Sequence, residues 1–252
     1  MRFNPEKWLD TKTADLVVHD DNVWFHNHAE EILSFKKNYL KIFKDALSQK
    51  IDIKTRVKTS ERKPVRGIKA DFLNKEVRRL LRLSIDNLRE EVNEEHGVFY
   101  YTSKEKKQIA GFDFAILNSC ENVNRLYDLC FGKLRYVDGQ KRWNRFLTNN
   151  PELMHYMHNI EFKNFSSEID EPLILGEIQF GNWALAYRDL FKILKANVQT
   201  SVDCLVYICP TGDLESMLSD GIVTFGKTKK IIQEFSKIIN VPVMLIGLDI
   251  KL

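Results

Sequence analysis

The chain has 252 residues, of which 44% are hydrophobic and 29% charged, and its formal net charge is only +3. Such a composition excludes a disordered protein and supports one substantial core, or one core carrying a smaller insertion. The near balance of charge also excludes a strongly basic chain whose total charge would announce a nucleic-acid partner, so any such role must rest on where the charges sit.

No stretch approaches the roughly 18 uninterrupted apolar residues of a membrane span. The opening Met-Arg-Phe-Asn-Pro-Glu-Lys lacks the apolar run and cleavage site of a signal peptide. Cys120, Cys130, Cys204 and Cys209 show neither CxxC spacing nor a nearby histidine pattern for zinc. The expectation is a cytoplasmic protein with reduced thiols and no membrane partner.

In chain order, residues 29–48 place Ile32, Leu33, Phe35, Tyr39, Leu40, Phe43 and Leu47 at spacings of three and four, which predicts one helix. Residues 52–67 have no helical period and carry Lys54, Arg56, Lys58, Arg62, Lys63 and Arg66; they read as an extended arm or loop. A second helix is predicted over 73–95 from Val77, Leu80, Leu81, Ile85, Leu88 and Val92, with Gly97 as its stop. A strand at 109–117 follows, then helices at 121–136 and 151–159 separated by a turn at Asp138-Gly139. The remainder alternates: strand 173–180, helix 183–196 on the pattern Leu185, Leu190, Phe191 and Leu194, strand 204–209, helix 228–239, strand 241–248. That order predicts an α/β fold with a central mixed sheet flanked by helices.

Residues 173–180 read Leu-Ile-Leu-Gly-Glu-Ile-Gln-Phe, so an apolar strand ends with Glu177 and Gln179 on one face, because strand side chains repeat every two residues. Phosphodiester hydrolysis uses such hardware: carboxylates hold a hard divalent cation that polarises the phosphoryl oxygen and activates water. A second carboxylate must then come from a neighbouring strand. Asp113, in Gly-Phe-Asp-Phe-Ala-Ile-Leu, is the first candidate, and Glu161, Glu168 and Asp170 are its rivals.

From Glu177, the run Glu-Ile-Gln-Phe-Gly-Asn-Trp-Ala-Leu-Ala-Tyr-Arg-Asp-Leu-Phe resembles the active-site strand and following helix of type II restriction endonucleases of the BglII/BstYI group. Leu214-Glu-Ser-Met-Leu-Ser-Asp-Gly-Ile-Val-Thr-Phe, Val241-Pro-Val-Met-Leu-Ile-Gly-Leu and His26-Asn-His-Ala-Glu-Glu-Ile-Leu extend the likeness, and the Gly67 and Leu73-Asn74 region matches more loosely. The resemblance implies a PD-(D/E)xK-type fold in which Gln replaces the usual Lys. Asp113 and Glu177 then become ligands of Mg²⁺, with Gln179 at the Lys position, where it can only orient a water or bond a phosphate oxygen. In the relatives this Asp lies close before the Glu in a short hairpin. Here about 60 residues intervene, so residues 118–172 are expected to be a helical insertion within a single domain spanning 1–252.

The resemblance makes Ser219, Asp220 and Thr224, with Lys227 beyond them, a major-groove reading loop, since short polar side chains on a tight turn reach base edges. Arg56, Lys58, Arg62 and Lys63 are expected to clamp phosphates, and Arg188 to meet phosphate from the helix after the active strand. Lys192, on the same polar side, meets phosphate or merely solubilises the helix. His26-Asn27-His28 and the pair His155 and His158 are read as structural or surface residues, and Trp143, Tyr127 and Tyr136 as a small core of the insertion. The expected protein is a homodimeric endonuclease cutting both strands of a short double-stranded DNA palindrome, with a GATC core suggested by the resemblance. The alternatives are a repair or mobile-element nuclease on the same fold, and a DNA-binding module without activity.

Overall fold

The computed structural model describes residues 11–35, 37–60, 63–101, 111–132, 136–151 and 171–252. The sheet is mixed. Its strands are β1 (Thr11–Val17), β2 (Val23–His26), β3 (Lys50–Ser60), β4 (Lys63–Ile68), β5 (Leu88–Glu95), β6 (Val98–Tyr100), β7 (Phe112–Ile116), β8 (Ile174–Ile178), β9 (Cys204–Pro210) and β10 (Val243–Lys251). They lie in the order β4-β3-β1-β10-β9-β8-β7-β5-β6, with β2 also pairing β10. Among the described residues β8, β9 and β10 run parallel to one another, and the other pairings are antiparallel. All seven residues of β9 are buried, as a strand covered on both faces requires.

Helices cover both faces. Beneath one lie α1 (Ala29–Phe35), α2 (Tyr39–Leu47) and α3 (Ala70–Ser84), whose Leu33, Phe43, Leu73, Val77 and Leu81 pack against Val206, Ile208, Ile246 and Leu248. On the other lie α6 (Leu185–Gln199) and α8 (Phe225–Glu234), where Leu190, Ile193 and Ile232 meet Leu205, Tyr207 and Leu245. The alternation of 205/207 against 206/208 between the two cores is the strand period made visible. A short α7 (Gly212–Met217) follows β9. The expected α/β architecture stands.

Three elements differ from the sequence reading. The helix expected over 29–48 is two helices, because Lys37 and Asn38 turn into the left-handed region and the Asn38 side chain accepts from the Lys41 N–H to start α2. The helix expected over 73–95 ends at Ser84, and Leu88 and Val92 belong to β5. His96 and Gly97, both at positive φ, turn β5 back into β6 rather than stopping a helix. The basic arm is the β3–β4 hairpin at one edge of the sheet, with Ile51, Ile53 and Thr55 buried and Lys54 on the exposed face between them.

Residues 118–151 hold α4 (Ser119–Phe131), capped by the Asn118 side chain, and α5 (Gly139–Asn149), which begins at the turn predicted to separate two other helices. Their Val123, Leu126, Trp143 and Phe146 form a separate small core with Val98 of β6, flanked by Tyr127 and Tyr136. The expected helix over 151–159, with His155 and His158, lies almost wholly outside the described residues. No helix among the described residues is long and apolar enough to cross a membrane.

Candidate active site

The site is built where β7 meets β8. These strands pair antiparallel with Phe114 opposite Gly176 and Ala115 opposite Leu175, and one further step of that register sets Asp113 opposite Glu177. Gly176 makes the close approach possible: a Cβ there would lie 2.0 Å from the Phe114 ring. The ring lies across the β8 backbone and fixes the register on which the two acids depend.

Asp113 is held from two sides. Its Oδ2 accepts the Ile178 N–H at 2.7 Å, and its Oδ1 accepts Nη2 of Arg78 at 2.6 Å. Arg78 comes from α3, donates also to the Asp113 carbonyl at 3.0 Å and to Asn74 Oδ1 at 2.8 Å, and pairs with Glu91 at 2.7 Å. Both members of the Arg78–Asp113 pair are largely enclosed, and breaking such a pair from one side costs on the order of 3–5 kcal/mol.

Glu177 is almost fully buried and touches the ammonium of Lys192, on α6. Burial pushes its carboxyl well above the ordinary range. The charges of Asp113 and Asp189 add to the shift, and Lys192 opposes it. Gln179 is buried too, its carboxamide oxygen accepting the Gly181 N–H at 3.1 Å and its nitrogen donating to Asp189 Oδ2 at 3.0 Å. Those partners fix the orientation of the amide, since an N–H must meet oxygen and a carboxylate must meet the NH₂. Asp189 accepts further bonds from the Tyr207 hydroxyl at 3.2 Å and from Arg188 at 3.0 and 3.2 Å. Burial holds the Tyr207 phenol well above its usual value, so it donates.

Among the described residues, no three His, Cys, Asp or Glu side chains form a cage for a metal. A magnesium-type ion does not require one. It is ordinarily held by one or two carboxylates, with waters and substrate phosphates completing the shell. Asp113 and Glu177 fit that description: burial first, then the charges of Asp113 and Asp189, raise Glu177, and a divalent cation would offset those charges.

The expected reading loop is docked beside this site. Asn182 bridges Ile222, the Trp183 N–H donates to the Gly221 carbonyl at 3.0 Å, and the Val223 N–H to the Gly181 carbonyl at 2.8 Å. Ser219 and Asp220 are exposed, and Arg56 of β3 reaches Ser219 Oγ at 3.1 Å. Arm and loop are therefore in contact, and the loop pairs with the residues just beyond Gln179. Lys227 is exposed on α8, and Arg188 is 40% exposed. Thr224 is different: it is buried, and its hydroxyl accepts from the Lys227 N–H as the N-cap of α8, so the oxygen expected at a base edge serves a helix instead. Arg62, Glu161, Glu168 and Asp170 lie outside the described residues, as do the side chains of Lys58 and Lys63. His26 and Asn27 both reach the Ile239 carbonyl, which gives them a structural part.

A family model described as "Restriction endonuclease BglII/BglIII" matches residues 22–248. The chain belongs to this restriction endonuclease family. The match runs from β2 to β10 and takes in Asp113, Glu177, Gln179 and the docked loop. Among solved structures, the chain is similar to one described as the crystal structure of restriction endonuclease BglII complexed with a DNA 16-mer. The identity is 13% and the TM-score 0.47, over 90% of this chain and 75% of that one. No curated protein matched the sequence.

Sequence reasoning missed Arg78, Asp189 and Tyr207 and left Lys192 undecided. On α6 the buried face carries Ala186, Asp189, Leu190, Ile193 and Ala196, but Leu185, Phe191 and Leu194 offer a second apolar pattern, so periodicity does not single that face out. Phe191, part of the helical pattern of the sequence, is 72% exposed.

Proposed function

We infer that the chain is a type II restriction endonuclease that hydrolyses both strands of a short palindromic site in double-stranded DNA as a homodimer dependent on Mg²⁺. The observation that carries the reading is the antiparallel register of β7 and β8, whose next step sets Asp113 opposite Glu177, in a chain of this family, with Gln179 immediately beyond. Asp113 and Glu177 would hold the ion, which when bound polarises a phosphoryl oxygen and acidifies water.

The chain's own residues set the geometry. Arg78 and the Ile178 N–H fix Asp113, and Asp189 and Gly181 fix Gln179, whose second amide N–H, without a partner among the described residues, could donate to a phosphate or water. Gln179 carries no charge, so charge stabilisation falls on the cation and on nearby basic groups. Exposed Ser219 and Asp220 suit base-edge contacts, whereas Arg56, Lys58, Arg62, Lys63, Arg188 and Lys227 suit phosphates. A target with a GATC core and an insertion spanning 118–172 belong to the same reading. A second copy is supported by the exposed row Trp183, Phe191 and Val198 on and beside α6, continued by Phe235 and Ile238 after α8.

Incubating the protein with plasmid and magnesium tests this reading. Discrete bands whose sequenced ends share one palindrome are expected. Nicking or smearing would point to a repair-type nuclease, and salt-sensitive binding without cleavage to an inactive DNA-binding module.

A further inference from the structure

Lys192 has no part in the constellation of Asp113, Glu177 and Gln179, yet its side chain is buried beside it, only 5% exposed. A buried ammonium is costly unless every proton finds an acceptor, so its partners define what it does. There are three. Nζ donates to Glu177 Oε1 and to the Gly111 carbonyl at 3.0 Å, and it lies 3.0 Å from Asp189 Oδ1, while the Phe112 ring covers it with its centroid 5.4 Å away.

Glu177 is the carboxylate that the nuclease reading gives to a divalent ion. Two cations at one carboxylate in a site closed to water repel each other strongly. The other two acceptors, Gly111 and Asp189, lie outside the ligand pair. Asp189 is itself fixed by Gln179, Tyr207 and Arg188, and it stands one helical turn from Lys192 on α6. Lys192 can therefore release Glu177 and stay neutralised where it is.

The geometry points to Lys192 as a resident counter-cation of the nuclease site, a positioning residue that occupies Glu177 and sets how much divalent metal is needed to take that carboxylate over. This inference rests on the assignment of Glu177 as a metal ligand. A purely structural lysine would behave differently: its loss would weaken the fold equally with and without metal.

The test is thermal unfolding of the full chain at pH 8.5, without DNA, from a metal-free baseline through a calcium titration. It compares wild type with Lys192→Met, Lys192→Arg and Glu177→Gln. Wild type should gain melting temperature with calcium and Glu177→Gln should not. Lys192→Met should melt lower without metal but reach half of its calcium-dependent gain at roughly ten-fold less calcium, because the competing charge has gone. Lys192→Arg should stay within about two-fold of wild type, since it keeps that charge. Should Lys192→Met not fold without metal, Lys192→Gln keeps a donor without the charge and should show the same lowered calcium requirement. A neutral variant that folds and needs as much calcium as wild type, or more, overturns the proposal. Wild type without any calcium gain, like Glu177→Gln, overturns the metal assignment itself and the proposal with it.

Discussion

Glu177 sits where its own charge is disfavoured, and this has a consequence for stability that can be separated from catalysis. Burial, then Asp113 and Asp189, raise its folded pKa above the ordinary 4.5, so the folded chain binds that proton more tightly than the unfolded chain does. The resulting stabilisation is complete below about pH 4.5 and is lost as the pH rises towards the folded value. Glu177→Gln should therefore melt above wild type at pH 8 without metal, with the gap closing as pH approaches 4.5, while DNA cleavage falls by about a thousand-fold or more. Calorimetric scans between pH 4 and 8 check the first part; equal melting curves at pH 8 would show that Lys192 fully compensates the charge. Asp113→Asn should also abolish cleavage, and because it weakens the hold of Arg78 it should cost on the order of 1–3 kcal/mol in urea unfolding. Near-normal cleavage by Asp113→Asn would move the second acid to Glu161, Glu168 or Asp170.

At the scale of elements, the nuclease reading gives the β3–β4 hairpin and the loop at residues 219–223 two different kinds of DNA contact, which salt would tell apart. Phosphate contacts release counterions and base-edge contacts do not. Lys54→Ala should weaken specific and non-specific binding alike and lower the slope of log affinity against log salt by about 0.9. Ser219→Ala should cost roughly 1–3 kcal/mol at the cognate site alone, with the slope nearly unchanged. Arg56→Ala should do both, since its guanidinium reaches Ser219 Oγ. Binding measured in calcium at several salt concentrations separates the three, and an unchanged slope for Lys54→Ala and Arg56→Ala would reduce the hairpin to a solvated edge. This element was legible as an extended basic segment because its pattern is local. Residues 85–95 were not: Ile85, Leu88 and Val92 continue a helical spacing by coincidence, and pairing with β6 and β7 decides for a strand.

For the whole molecule, α6 has Asp189 and Lys192 turned towards β8 and Phe191 turned outwards. Trp183 and Phe191 are 47% and 72% exposed, and the Tyr187 and Phe235 rings pack 6.2 Å apart beside them. If this face joins two copies, Phe191→Glu should yield a monomer in sedimentation experiments and nick rather than cut both strands, with its thermal unfolding otherwise little changed. A wild-type monomer, or a Phe191→Glu dimer, would place the two-fold axis elsewhere.

By itself the sequence determined the alternating elements of the second half and the acid-x-Gln strand end, because strand period and short motifs are written in neighbouring residues. It also identified Asp113 as a candidate, although about 60 residues separate it from Glu177, since a charged residue inside an apolar strand is conspicuous wherever it falls. Only the tertiary structure decided that Asp113 stands opposite Glu177, that Arg78 holds it, and that Thr224 caps a helix. It alone decided the phase of α6, which turns Lys192 and Asp189 inwards. Those facts depend on contacts between elements distant in the chain. A buried charge finds its partner in space, and periodicity along one helix cannot say which of two nearly equivalent faces meets the sheet.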